Sequence, residues 1–381
     1  MLRVLILSYE YPPLGGGSAN AIFHLIRELS TEPNLSIDLI TSSPNKKNSL
    51  TKLYQNINVY KLNVGKQGNL HHQSRTNIFL YTIKAYLLAK KLCRQKKYDV
   101  VDGWFSVPGG FIAWLLKKPY IVSLRGSDVP GFDPRFAWLD KFVLRRLSKK
   151  IWKQSKIVIG NSKALIELAK KTLPNHNYQI IPNGVDLNMY HPTQKNQNEK
   201  FVVLSTSRLV ERKGLQYLIE GFGIFSKKNS KAKLILVGEG PLYKKLKLQV
   251  DTLKISDKVE FTGLIATDQM DKYYQQANVF VLPSLNEGMS NCVLEAMACG
   301  LPIITTNIGG THELVDETNG IIIPTKNALA IARVLGELNL DKQLSQNMAQ
   351  TSRAKAGKMG WSKMAQSFIG LYKEAKELTN A

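Results

Sequence analysis

Acidic residues are scarce in this 381-residue chain: 29 Asp and Glu stand against 52 Lys and Arg, a formal charge of +23. Cysteine is scarcer still. Cys93, Cys292 and Cys299 are an odd number without metal-type spacing, which argues against a disulfide framework or a zinc site and fits a reducing cytoplasm. Long hydrophobic runs are also missing. Residues 4–7 are too few for a signal-peptide core and lead straight into a Pro/Gly loop. The stretch 104–116 is broken by Pro108 and two glycines and falls short of the roughly 20 residues that cross a bilayer as a helix. No transmembrane helix is expected, and no low-complexity tract interrupts the chain.

The charge that is present is uneven. Residues 1–187 hold 28 Lys and Arg against 11 Asp and Glu, a net +17, leaving +6 for the remainder. Such an excess suits nucleic acid, anionic lipid or phosphorylated ligands. Short β-rich runs (2–7, 37–41, 100–102, 120–124, 157–159) alternate with helical patterns, the mark of parallel sheets with crossover helices. The series restarts after the polar stretch 188–200, with strands expected near 201–205, 233–237, 259–261, 279–282 and 302–305. The fold class is therefore α/β, with two doubly wound Rossmann-like domains at 1–187 and 188–358. A final helix, 359–381, is expected to pack back on the first domain. Ligands of such sheets bind beyond the carboxyl ends of the strands, and the cleft between two facing domains is the natural site.

The segment PSLNEGMSNCVLE, residues 283–295, follows an expected strand and opens a helix. Glu287 falls just before that helix and Glu295 two turns inside it. The backbone N–H groups of Gly288, Met289, Ser290 and Asn291 would form an electropositive nest for an oxygen-rich ligand. Taken alone, the two carboxylates could equally be acidic residues favoured near a helix start. In SRLVERKG, Arg208 and Lys213 end a strand, where fixed cations can neutralise charge on a departing phosphate; alone they could be surface basics. Gly15, Gly16 and Gly17 follow the first strand and permit close backbone approach, or form only a tight turn.

The stretch NEGMSNCVLEAMACGLPIITTNIGG resembles the E-x7-E signature of the family 4 (group 1) retaining glycosyltransferases, whose architecture is GT-B. The likeness extends over essentially the whole chain through YPPLGGGSAN, IPNGVD, SRLVERKG and LVGEGPLYKKL. It implies transfer of a hexosyl unit from a nucleotide diphosphate sugar, UDP being the first guess, to a glycan or lipid-linked acceptor. It further implies that Glu287 contacts the donor sugar and Glu295 the ribose, that Arg208 and Lys213 hold the diphosphate, that Gly16 contacts the donor, and that Gly238 and Leu264 line the base pocket. With those cations present and no Asp-x-Asp motif in the chain, no metal or other cofactor is expected.

One departure stands out. Many members carry His-Gly after the strand at 120–124, where this chain reads Leu124-Arg125-Gly126-Ser127-Asp128 and has no histidine nearby. Asp128 could take the acceptor proton and Arg125 a phosphate, or the two could be loop-fixing partners; the preferred route passes the proton to a leaving phosphate oxygen.

On a helical wheel, residues 135–154 place Phe136, Leu139, Val143, Leu147 and Ile151 on an inner stripe. Trp138, Lys141, Phe142, Arg145, Arg146, Lys149, Trp152 and Lys153 fall on a cationic, aromatic side suited to an anionic membrane surface, or to solvent and a neighbouring element. The pattern 77–97, apolar nearly all round, reads as a buried helix. A peripheral position on the inner face of the membrane follows as an expectation, and nucleic acid is not expected as a partner. The competing readings are a nucleotide-sugar epimerase or phosphorylase of the same fold, and a non-catalytic protein that binds polyanions or lipid.

Overall fold

The computed structural model describes residues 1–66, 74–133, 138, 143–193 and 200–380. Its contacts divide the chain into two compact units, Met1–Asn183 with Trp361–Ala381, and Gly184–Gly360. The first unit runs β1 (Leu2–Leu7), α1 (Gly17–Leu29), β2 (Leu35–Ser42), β3 (Ser49–Tyr54), β4 (Ile57–Leu62), α2 (Arg75–Gln95), β5 (Val100–Trp104), α3 (Phe111–Leu115), β6 (Tyr120–Ser123), α4 (Arg145–Gln154), β7 (Ile157–Gly160), α5 (Lys163–Lys170) and β8 (Tyr178–Ile180). Its strands stand in the order β3-β4-β2-β1-β5-β6-β7-β8, parallel except where β3 pairs antiparallel with β4.

The second unit runs β9 (Phe201–Thr206), α6 (Leu215–Ser226), β10 (Ala232–Val237), α7 (Tyr243–Thr252), β11 (Val259–Gly263), α8 (Met270–Gln276), β12 (Val279–Leu282), α9 (Asn291–Ala298), β13 (Ile303–Thr306), α10 (Thr311–Leu314), β14 (Gly320–Ile323), α11 (Ala328–Leu340) and α12 (Lys342–Ala356). Its sheet order is β11-β10-β9-β12-β13-β14, with every pair parallel. The last helix, α13 (Trp361–Asn380), belongs to the first unit.

Strands covered on both faces must be apolar at consecutive positions, and Val4, Leu5, Ile6 and Leu7 are all fully buried. One face of the first sheet packs against α1 and α13 through Ile22, Leu25, Phe368 and Leu371. The other face packs against α2, α3 and α4 through Tyr81, Ala85, Ile112 and Ile151. In each sheet the order reverses once, between β1 and β5 and between β9 and β12. The loops leaving those strands are thereby splayed apart at their carboxyl ends, where a ligand can enter.

Several expectations need correction. Helix α2 is not buried all round: Phe79, Ile83 and Leu87 are 64%, 44% and 60% exposed, because only the opposite stripe of Tyr81, Ala85, Ala89 and Leu92 meets the sheet. Trp152, expected on the lipid side, is fully buried and its indole N–H donates to Ser106 Oγ at 3.0 Å. Val143, expected in the inner stripe, is 48% exposed, and the regular α-helix begins at Arg145. Trp138, Arg145, Arg146, Lys149 and Lys153 are exposed, while Lys141, Phe142, Phe136 and Leu139 lie outside the described residues. No helix among the described residues is long and apolar enough to cross a membrane.

Candidate functional site

The reversal point of the second sheet gathers the titratable groups of the β9 and β12 loops. Lys213, at the end of the β9 loop, donates its ammonium to Glu287 Oε1, and Arg212 Nη1 lies 3.5 Å from Glu287 Oε2. Ser284 Oγ donates to the same carboxylate at 3.1 Å. Burial alone would raise the Glu287 pKa. The charges of Lys213 and Arg212, with the hydrogen bonds from Lys213 and Ser284, outweigh it and hold the pKa below its ordinary value.

Glycines let these loops close on one another. At Gly214, φ is +66° and an added Cβ would lie 2.1 Å from the Pro283 carbonyl oxygen, so the β9 and β12 loops touch backbone to backbone. Leu285 N–H donates to Arg212 O across the same contact, at 2.6 Å. Gly309 (φ +45°) is pressed against the Glu287 carbonyl, and Gly310 N–H donates to Gly288 O at 2.8 Å. The Gly-Gly turn after β13 thus clamps the segment that carries Glu287.

Glu295 faces inward from α9, whose N-cap, Ser290, supplies no side-chain cap. Tyr274 Oη donates to Glu295 Oε2 at 2.7 Å and accepts from Thr206 Oγ1 at 2.7 Å, tying α9 to the end of β9. Burial, opposed by the Tyr274 bond, raises the Glu295 pKa. Glu287, Gly288 and Ser290 line a small pocket with Thr311 and Val315, and Met289 beneath is buried. Asn291 opens α9. Arg208 is exposed, two residues beyond β9.

Two residues expected at a base pocket are placed as follows. Gly238 N–H donates to Gly263 O at 2.9 Å, so that donor is engaged in joining the two loops. Leu264 is 63% exposed. Arg212, Ser284, Tyr274 and Thr206 were not singled out from the sequence. Arg212 stands in the SRLVERKG segment and could have been picked as a third cation, whereas the other three carry no local signal.

The first unit places Gly16 at the start of α1 with nothing within 4 Å of its added Cβ, beside Gly15, whose Cβ would meet the Glu10 carboxylate at 2.7 Å. Ser18 Oγ donates to Glu10 Oε2. Asp128 accepts from the backbone N–H of Ser106 (2.7 Å), Arg125 (2.9 Å) and Gly126 (2.9 Å), a loop-building arrangement. The Arg125 guanidinium lies 3.6 Å over the Trp104 ring, and burial, resisted by Asp102 and Asp128, lowers its pKa to about 10. Beneath it the buried Asp102 accepts from Trp104 Nε1 (3.0 Å), Ser123 Oγ (2.9 Å) and Tyr372 Oη (2.9 Å).

With this geometry in view, two families of known proteins match the chain: Glycosyltransferase Family 4 over residues 15–189 and Glycosyl transferases group 1 over residues 188–355. The chain belongs to the family 4, group 1 glycosyltransferases. A relative in this family, an uncharacterized glycosyltransferase of Methanocaldococcus jannaschii, is 24% identical over 99% of each chain. Among solved structures, sucrose-phosphate synthase of Thermosynechococcus elongatus matches 98% of this chain and 99% of its own at a TM-score of 0.85 and 20% identity. Anabaena HepE in complex with UDP-glucose matches all of both chains at a TM-score of 0.73 and 20% identity. At that identity the likeness establishes the fold, and the two Rossmann-like units are those of a GT-B glycosyltransferase.

Proposed function

We propose that this glycosyltransferase moves a hexosyl unit, with retention and without a metal ion, from a nucleotide diphosphate sugar to a lipid-linked or polysaccharide acceptor. The observation that carries the proposal is the half-buried Glu287 carboxylate held by Lys213 and Arg212 where the β9 and β12 loops meet. An ionised carboxylate accepts hydrogen bonds from sugar hydroxyls, and fixed cations beside it offset the charge that grows on the diphosphate as the C1–oxygen bond breaks. Arg208, exposed two residues beyond β9, is assigned to the diphosphate with them. Glu295, buttressed by Tyr274, is assigned to the ribose hydroxyls. UDP is the first donor to try, since the structural neighbour HepE binds UDP-glucose.

Asp128 is assigned no proton-transfer role, because three backbone N–H groups already engage its oxygens. In the proposed route the acceptor oxygen bonds to C1 on the face the phosphate leaves, and its proton passes to the departing phosphate oxygen. Binding and slow hydrolysis of UDP-, GDP- and ADP-sugars in EDTA, with native protein, Glu287→Ala and Arg208→Ala, test the donor site. The anomeric configuration of the product, read by NMR, tests retention. An inverted product, or no binding to any nucleotide sugar, would sink the proposal.

A further inference from the structure

Helices α2, α3 and α4 lie on one face of the first sheet and share one core beneath them. Their outer surface is unusual in two independent ways. Phe79, Ile83 and Leu87, 64%, 44% and 60% exposed, recur at four-residue spacing and so form a continuous apolar stripe along α2. None of the three helices contains an Asp or a Glu, while Lys90, Lys91 and Arg94 on α2 and Arg146, Lys149 and Lys150 on α4 are exposed. Scattered surface leucines are ordinary, but an aligned stripe among cations without a single acid is not what solvent alone asks for.

We propose that this face docks on an anionic lipid bilayer, with Phe79, Ile83 and Leu87 entering the headgroup boundary and the α4 cations meeting lipid phosphates. The charge decides among occupants. A second copy of the chain would bring the same cations against one another, and a nucleic acid would match the charge but give the aliphatic part of the stripe nothing to enter. A bilayer bearing anionic headgroups satisfies both halves of the surface. The insertion is thereby moved off the aromatic, cationic face expected at 135–154, where Trp152 is used internally, and onto α2. The inference does not rest on the identity of donor or acceptor.

Flotation of the full chain with vesicles of phosphatidylcholine alone, and of phosphatidylcholine with phosphatidylglycerol, tests it. Binding is expected only to the anionic vesicles, weakening as salt rises. The double substitution Phe79→Ser with Leu87→Ser is expected to weaken binding by about tenfold or more, with the melting temperature unchanged. Lys149→Glu with Lys150→Glu should erase the preference for anionic lipid. Leu248→Ser, at an apolar position 68% exposed in the second unit, should change nothing. The proposal is overturned by absence of anionic-lipid binding, by a serine double variant that binds as the native chain does, or by an equal loss on Leu248→Ser. Salt-sensitive binding to tRNA without binding to vesicles would assign the cations to nucleic acid and overturn it equally.

Discussion

Glu287 is ionised because two neighbouring cations outweigh its burial. Removing Lys213 leaves the carboxylate half-compensated, so Lys213→Ala should raise the Glu287 pKa and lower kcat/KM for sugar transfer by about 10²–10³, the usual loss when one charge-stabilising donor is taken from a transition state. Steady-state kinetics at neutral pH would read this, and a change under about threefold would argue against the assigned role. A linked effect appears in stability. A depressed carboxylate pKa stabilises the folded chain fully above the ordinary value of 4.5, and that contribution is lost as pH falls through the lower folded pKa. The melting temperature of Glu287→Gln should therefore lie below that of the native chain at neutral pH, with the gap closing below about pH 4.5. A gap that does not vary with pH would mean that the ion pair contributes nothing.

Among the elements, two joints concentrate the dependence of the site on its scaffold. Gly214→Ala forces a Cβ against the Pro283 carbonyl at positive φ, a change expected to cost about 2 kcal/mol or more and to separate the loops that carry Lys213 and Glu287. Urea denaturation and nucleotide-sugar binding should both register it. Tyr372→Phe removes one of three hydrogen bonds to buried Asp102 and should cost about 1 kcal/mol, while Asp102 keeps its other two donors.

Elements of this kind were unevenly legible in the sequence. The buried strands β1 and β12 announce themselves as unbroken apolar runs, and the NEG–NIGG stretch marks the Glu287 loop together with the turn that clamps it. Strand β3 escaped notice because it is exposed at the sheet edge and needs no apolar face, and β4 because its buried Ile57, Val59 and Leu62 are separated by Asn58, Tyr60 and Lys61 and form no unbroken apolar run. Tyr274 reaches Glu295 only through the packing of α8 beside β9, which no local pattern encodes. Helix α2 misled for another reason: periodicity registers apolar residues on both of its faces but cannot tell which face meets the sheet.

At the scale of the whole molecule, the side chains that hold Glu287 and Glu295 all come from residues 184–360, one uninterrupted unit. Expressed alone, that segment should fold and bind a nucleotide sugar within about threefold of the intact chain's affinity, measured by calorimetry. Residues 1–183 alone should not fold stably, because α13 supplies Phe368, Leu371, Tyr372 and Ala375 to their core. A compact 1–183 fragment with a sharp melting transition would contradict that dependence.

The late arrival of α13 also sets a schedule for biosynthesis. A ribosome releases the first sheet early, yet the apolar surface that faces α13 stays uncovered while the whole of residues 184–360 is made and until residues 361–380 follow, by which point the second unit already has everything its own core requires. The segment that reaches the exit tunnel second is then the one able to finish first, and the nascent first sheet must be shielded meanwhile, by chaperones or by speed.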